Sequence, residues 1–244
     1  MNQLNYVDLH CHILPGIDDG AKDVIISRRM LEMAQADGIG QIVVTPHYKA
    51  HRHNEGKEKI VQLVQEAQQW LDAQGYALKL YTGSEVKYFH EMTNLLKEQK
   101  LCTLADSFYI LVEFSPKDDY SYIKHGVKEL LAAGYYPIIA HIERYEALSS
   151  HEKHIEELVD MGAYMQVNAA SIEGKLGFFT KRKVIRWIKK GLVHFVASDA
   201  HTDNTRIPNL SKSAKIIKRK CGREAVQVLY HDNQQKIIEN KLIS

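Results

Sequence analysis

The run Val7-Asp8-Leu9-His10-Cys11-His12, continued by Ile13-Leu14-Pro15-Gly16-Ile17-Asp18-Asp19-Gly20, decides how the rest of this chain is read. If residues 6–12 form a strand, side chains alternate between its faces. Asp8, His10 and His12 then share one side, and Leu9 and Cys11 the other. Two imidazoles facing one space make half of a metal site. Pro15-Gly16 and Asp19-Gly20 mark a turn that returns a carboxylate over the strand end.

Working outward, apolar β-branched runs alternate with helical spacing. A helix is expected over 24–37 and stops at Gly38; residues 42–47 form a strand ending in His47. A helix over 57–74 stops at Gly75, and a strand over 77–85 ends on Glu85. A short helix at 92–97 precedes a strand over 108–114, whose last inward residue is Glu113. Helices over 123–133, 153–161 and 181–190 stop at Gly134, Gly162 and Gly191. They lead into strands at 136–141, 163–168 and 193–199, and two or three helices finish the chain. Near-continuous apolar strands separated by helices argue for parallel strands buried on both faces, hence an α/β fold. The count is seven strands, and five helices stop at a glycine. Without a repeat, linker or low-complexity tract, residues 1–244 are expected to form one closed domain. A length of 244 residues matches the roughly 250 typical of a β/α barrel.

The polar residues at these strand ends are His10, His12, His47, Glu85, Glu113, His141, Asp199 and His201, and the first loop adds Asp19, with its neighbour Asp18 as the alternative. Each alone has an ordinary structural explanation, such as a salt bridge or a cap. Together they put a possible ligand at the C-terminal end of almost every strand, where β/α barrels build their active sites. Imidazole with carboxylate and no thiolate suits manganese, iron or zinc. Nine ligands exceed the needs of one ion. Three divalent ions against four carboxylates would leave an excess of roughly two positive charges, an attraction for a dianion. Such ions polarise a phosphoryl oxygen and lower the pKa of bound water to about 7. Arg144 and Arg206 follow His141 and His201 closely and bring guanidinium groups, which grip phosphate oxygens, to the same rim. His51 and His53 add imidazoles to the loop after the second strand, where they read as solvent-exposed groups.

Composition excludes other classes. Hydrophobic residues are 45% and charged residues 25%, with a net charge of +2, so no nucleic-acid or membrane-surface partner is indicated. The basic run 212–220 reads as the solvated side of a helix that turns Ala214, Ile217 and Cys221 inward. Three scattered cysteines suggest neither a disulfide framework nor a thiolate zinc site. No stretch resembles a signal peptide or a membrane span, so a cytoplasmic protein is expected.

These motifs resemble the polymerase-and-histidinol-phosphatase (PHP) superfamily, whose first motif is similar to Asp8-Leu9-His10-Cys11-His12. The match is closest to the manganese-dependent bacterial protein tyrosine phosphatases of capsule and exopolysaccharide operons. It is carried also by Thr-Pro-His at 45–47, Gly-Ser-Glu-Val at 83–86, Ala-His-Ile-Glu-Arg-Tyr at 140–145, Gln-Val-Asn at 166–168 and Ala-Ser-Asp-Ala-His at 197–201. The resemblance covers essentially the whole chain. It implies a distorted seven-stranded (β/α)7 TIM-like barrel holding three metals. One metal would lie on His10, His12, Glu85 and Asp199, a second on Glu85, Glu113 and His141, and a third on Asp19, His47 and His201. Arg144 and Arg206 would bind phosphate. The implied reaction is attack of a metal-bridging hydroxide on phosphotyrosine. The implied partner is a membrane tyrosine kinase with a tyrosine-rich tail. A PHP-type histidinol phosphatase and a catalytically silent metal-binding module are the competing readings.

Overall fold

The computed structural model describes residues 6–50, 52 and 54–243. The strands are β1 (Tyr6–Cys11), β2 (Ile39–Val44), β3 (His47–Tyr48), β4 (Lys79–Tyr81), β5 (Glu85–Lys87), β6 (Tyr109–Glu113), β7 (Tyr136–Ile139), β8 (Tyr164–Asn168) and β9 (Phe195–Ala197). All pairings between them are parallel. One sheet runs β1-β2-β4 and the other β3-β5-β6-β7-β8-β9. The architecture is α/β, as the alternation of apolar runs predicts.

Among the described residues nine strand segments appear where the sequence suggests seven strands, because two apolar runs are interrupted. Pro46, which has no N–H for a ladder, separates β2 from β3. Gly83 lies between β4 and β5, where a Cβ would come within 2.8 Å of Val43 Cγ1 and 3.0 Å of the Val44 carbonyl oxygen. Hydrogen bonds still cross these breaks, from Thr45 N to Cys11 O at 3.0 Å and from Glu85 N to Pro46 O at 3.0 Å. Between β9 and β1, Asp199 N donates to His10 O at 2.9 Å and His12 N to Ala200 O at 2.8 Å.

Helices α1 (Val24–Asp37), α2 (Lys57–Ala73), α3 (Met92–Lys97), α4 (Tyr120–Ala132), α5 (Glu146–Ser149), α6 (Glu152–Asp160), α7 (Ala169–Glu173) and α8 (Phe178–Lys189) lie between the strands. Helices α9 (Ser211–Cys221), α10 (Arg223–Gln227) and α11 (Asn233–Ile238) follow β9. The glycine stops are real: Gly38 adopts φ 88° and its N–H reaches the carbonyls of Ala34 and Gln35. Along α9, Ala214 and Ile217 are buried and Cys221 partly so.

The largest core cluster includes Met30, Leu71, Ile110, Leu130 and Trp187. A second unites Leu9, Val43, Leu111, Ile138 and Phe195 with Ile237 of α11. Strict alternation fails along β1. Its register with β2 shifts between Asp8 and Cys11, so Leu9 joins the second cluster and Cys11 the first. No helix among the described residues is long and apolar enough to cross a membrane. His51 and His53 lie outside the described residues.

The amino end of α9 lacks a cap from its own segment and borrows one from the end of α1. The Asp37 carboxylate accepts from Leu210 N at 2.6 Å, Ser211 N at 2.9 Å, Ser211 Oγ at 2.6 Å and Asn209 Nδ2 at 2.6 Å. A negative charge is favourable at that helix end, and losing it leaves several donors without partners. Asp37→Ala is expected to lower unfolding free energy by about 1–3 kcal/mol, measured by urea denaturation; an unchanged midpoint would contradict this role.

Candidate metal centre

Because all strands are parallel, their C-terminal ends lie on one side of the fold, and the polar residues at those ends converge there. His10 and His12 come from the end of β1, His47 opens β3, and Glu85 opens β5 rather than closing a strand. Glu113 ends β6, and His141 and Asp199 lie just beyond β7 and β9. His141 and Asp199 adopt positive φ, 35° and 53°. Non-glycine residues there carry strain of about 1–2 kcal/mol. Gln166 Oε1 accepting from His141 N at 2.8 Å, and the Asp199 N–H bond to His10, hold them in place.

The Glu85 carboxylate is the meeting point. Its Oε2 lies 3.2 Å from His10 Nε2, 3.2 Å from His12 Nε2 and 3.0 Å from His47 Nδ1. Its Oε1 lies 2.9 Å from His141 Nε2, which is 3.8 Å from Glu113 Oε1. Asp199 Oδ1 is 3.5 Å from both His10 Nε2 and His201 Nδ1. Asp19 Oδ1 is 3.2 Å from His47 Nε2 and 3.6 Å from His201 Nε2. Donor atoms therefore gather in three overlapping groups: His10, His12 and Glu85; His47, Glu85 and Glu113; and His12, Asp19, His47 and His201.

The hydrogen bonds show that this is more than a set of salt bridges. Gln166 Oε1 accepts a backbone N–H, so its oxygen also faces His10 Nδ1 at 3.2 Å, and that nitrogen must carry a proton. His12 Nδ1 likewise faces the Asp18 carboxylate at 2.8 Å. In the neutral imidazoles both Nε2 atoms are then bare lone pairs, set 3.2 Å apart. Two lone pairs at that distance repel unless a proton is shared between them or a metal ion lies against both. His201 repeats the device, with Nδ1 3.0 Å from the carbonyl of Asp199. Buried His47 Nδ1 has no hydrogen-bond partner although Glu85 is close. An acceptor on the remote nitrogen is how metal-binding histidines are oriented. The donor set therefore fits divalent ions.

Asp18 and Asp19 separate cleanly. Asp18 turns inward to His12, His47 N at 3.0 Å and Gly20 N at 2.9 Å, whereas Asp19 reaches the His47–His201 pair. Gly20 permits this turn, since a Cβ would lie 2.2 Å from the His12 carbonyl oxygen. Asp8 does not share the space of the histidines as alternation predicts. Its Oδ1 instead accepts from Ser198 N at 3.0 Å and His10 N at 3.3 Å.

Both arginines arrive at Asp199. Arg144 Nη2 contacts Oδ2 at 2.8 Å and Arg206 Nη2 contacts Oδ1 at 2.6 Å, and Asn168 Nδ2 adds a bond to Oδ2 at 2.7 Å. The guanidinium groups remain 34% and 43% exposed and border a cleft of ≈ 190 Å³. Residues without an assigned role in the sequence also matter here. Gln166 orients His10, Asn168 holds Asp199, and the buried Tyr145 hydroxyl sits 3.3 Å from His141 Nδ1. Gln166 and Asn168 are two apart on an otherwise apolar strand, a signal for inward-facing amides.

Parallel strands delivering imidazole and carboxylate donors to one end, with two guanidinium groups at the rim, define the PHP-type metallophosphatases. The chain belongs to the CpsB/CapC family of capsular polysaccharide synthesis, whose profile matches residues 6–239. It is 34% identical over 242 residues to the tyrosine-protein phosphatase CpsB of Streptococcus pneumoniae, covering 97% of this chain and 100% of that one. It superposes with a TM-score of 0.92 and 30% identity on a crystal structure from the pair YwqE of Bacillus subtilis and CpsB of Streptococcus pneumoniae, metal-dependent tyrosine phosphatases. That match covers 98% of this chain and 96% of the other. The histidinol phosphate phosphatase of Lactococcus lactis shares the fold alone, with a TM-score of 0.59 and 14% identity, over 90% of this chain and 95% of its own.

Electrostatics set a pH dependence for loading. Burial disfavours charge on His10, but Glu85 and Asp199 outweigh it and raise its pKa to about 9. Burial also opposes charge on His47, yet Asp19 and Glu85 bring it to about 10. Without metal, both imidazoles are protonated at pH 7, and ions must displace those protons. Metal affinity is expected to rise from pH 6 to about 10 and then level off, with about two protons released per chain at pH 7. Titration in weakly buffered solution measures this; loading without proton release would overturn it.

Proposed function

We propose that this chain is a metal-dependent phosphomonoester hydrolase acting on phosphotyrosine in protein, with a membrane tyrosine kinase of capsule or exopolysaccharide synthesis, and its tyrosine-rich tail, as substrate. Full-length relatives named tyrosine-protein phosphatases support the substrate class. The observation that carries the chemistry is the facing of His10 Nε2 and His12 Nε2, each ring oriented from its other nitrogen, beside two rim guanidinium groups. We read the nine strand segments as seven staves of a distorted barrel, with β2–β3 and β4–β5 each one broken stave, and residues 1–244 as one domain. Three unpaired cysteines, two of them buried, fit a cytoplasmic protein.

In this reading His10, His12, Glu85 and Asp199 hold one ion, Glu85, Glu113 and His141 a second, and Asp19, His47 and His201 a third, with manganese the expected metal and iron or zinc able to substitute. Once bound, such ions would supply an activated water and polarise the phosphoryl oxygens. Arg144 and Arg206, held at Asp199, would bind the phosphate oxygens and the charge that develops on them. Phenolate, with a parent pKa of about 10, leaves without strong acid assistance.

The cleft beside the arginines favours an aryl ester over histidinol phosphate. Leu176 and Ile207 give it apolar walls, and Glu173, which could otherwise attract an ammonium group, is paired with Lys175 at 3.5 Å. After manganese loading, phosphotyrosine is expected to be hydrolysed faster than histidinol phosphate. The reverse order would favour the histidinol phosphatase, and no hydrolysis of either the silent module.

Arg144→Ala and Arg206→Ala are each expected to lose roughly 100- to 1000-fold in turnover while keeping their metal by elemental analysis. Metal loss would make the arginines structural, and unchanged turnover would remove them from the reaction.

A further inference from the structure

A second group of metal-binding side chains lies outside the strand-end cluster. It joins the segment after β5 to the outer face of α4. His125 and Glu129 are four residues apart on α4 and so share one face. His90, from the chain after β5, places Nδ1 3.1 Å from Glu129 Oε1, and His125 Nε2 is 3.5 Å from the same oxygen. The two imidazoles are stacked, with ring centroids 6.1 Å apart and planes at 22°.

Two features build this arrangement in advance. Gly126 leaves a notch on α4: a Cβ there would lie 2.9 Å from the Tyr88 ring. The ring fills that notch, packs edge-on against Tyr122 at 5.1 Å and is 5% exposed. Seating Tyr88 brings His90, two residues on, over His125. The Tyr88 hydroxyl then donates to Glu129 Oε2, which leaves Oε1 facing both imidazoles. Burial and the neighbouring Glu129 push the Tyr88 pKa well above the ordinary phenol range, so the phenol stays a donor at neutral pH. A carboxylate with one oxygen fixed from behind and the other aimed between two ring nitrogens has the orientation given to metal ligands by their outer partners.

We infer that His90, His125 and Glu129 form a separate site for a divalent transition-metal ion, with its remaining positions open to water. Two imidazoles and one carboxylate are the ligand set of open zinc sites. Ligands without sulfur also suit nickel and copper(II), whereas the absence of a multi-oxygen cage argues against calcium or magnesium. His90 and His125 are 75% and 57% exposed, so an ion reaches them directly from solvent. Bound metal would tie the chain following Glu85 to α4. The inference is independent of the reaction assigned to the main cluster.

The test uses the full chain, with zinc as the probe. Wild type and the H90A/H125A double variant are loaded with manganese and dialysed against a common series of free zinc concentrations. Bound zinc and aryl phosphate hydrolysis are then measured on each. Wild type is expected to bind one zinc per chain more than the double variant, while hydrolysis after manganese loading is the same in both. Tyr88→Phe, which keeps the ring in its notch, is expected to weaken this zinc about 10- to 100-fold. Equal zinc binding in wild type and double variant overturns the site and leaves an ordinary histidine–carboxylate contact. Loss of hydrolysis together with the zinc also overturns it, because the lost ion would then belong to the main cluster.

Discussion

Two imidazole Nε2 atoms facing each other across 3.2 Å, on His10 and His12, are the constraint around which the active end of this protein is arranged. Neither ring is free to turn away, since each has its other nitrogen committed to a buried acceptor. Those acceptors come from far along the chain in one case and from the next turn in the other: Gln166 on β8 and Asp18. The backbone is shaped to suit. Gly20 lets the first loop close tightly over His12, and the left-handed conformations of His141 and Asp199 turn their side chains toward the centre.

The carboxylates balance this donor set unevenly. Glu85 stands among four histidines, whereas Asp199 is held by two arginines and an amide. Asp199 Oδ1 is thus shared between Arg206 and the imidazoles of His10 and His201, while Oδ2 is taken by Arg144 and Asn168. Both guanidinium groups are thus oriented by Asp199 in advance, so an anion bound by them would cost little further side-chain freedom.

Much of this was legible in the sequence because it follows from local rules. Apolar runs, glycine stops and strand-end ligands each leave a pattern a few residues long, and the helices ending at Gly38 and Gly75 appear where those patterns put them. The interruptions in the strands were not legible. Pro46 and Gly83 break ladders only because β1, β2 and β5 approach them in space. The face of Asp8 was misread for a related reason: a register shift in β1 overrides alternation. Asp18 and Asp19 are adjacent and chemically identical, so only the three-dimensional course of the loop decides which one faces His12. Gln166 and Asn168 carried a period-two signal, but their partners, His10 and Asp199, lie 156 and 31 residues away.

The placement of Glu85 among His10, His12, His47 and His141 also bears on how the protein is made. These groups come from chain segments that span most of the sequence, and Asp199 and His201 are added only near its end. Such nonlocal contacts give high contact order and slow folding relative to a helical bundle of equal size. During synthesis the amino-terminal half emerges with its histidines and carboxylates still lacking Gln166 and Asp199. Ions captured at that stage would find an incomplete coordination shell. The full donor set is therefore assembled only late in synthesis, on completion of the carboxy-terminal strands.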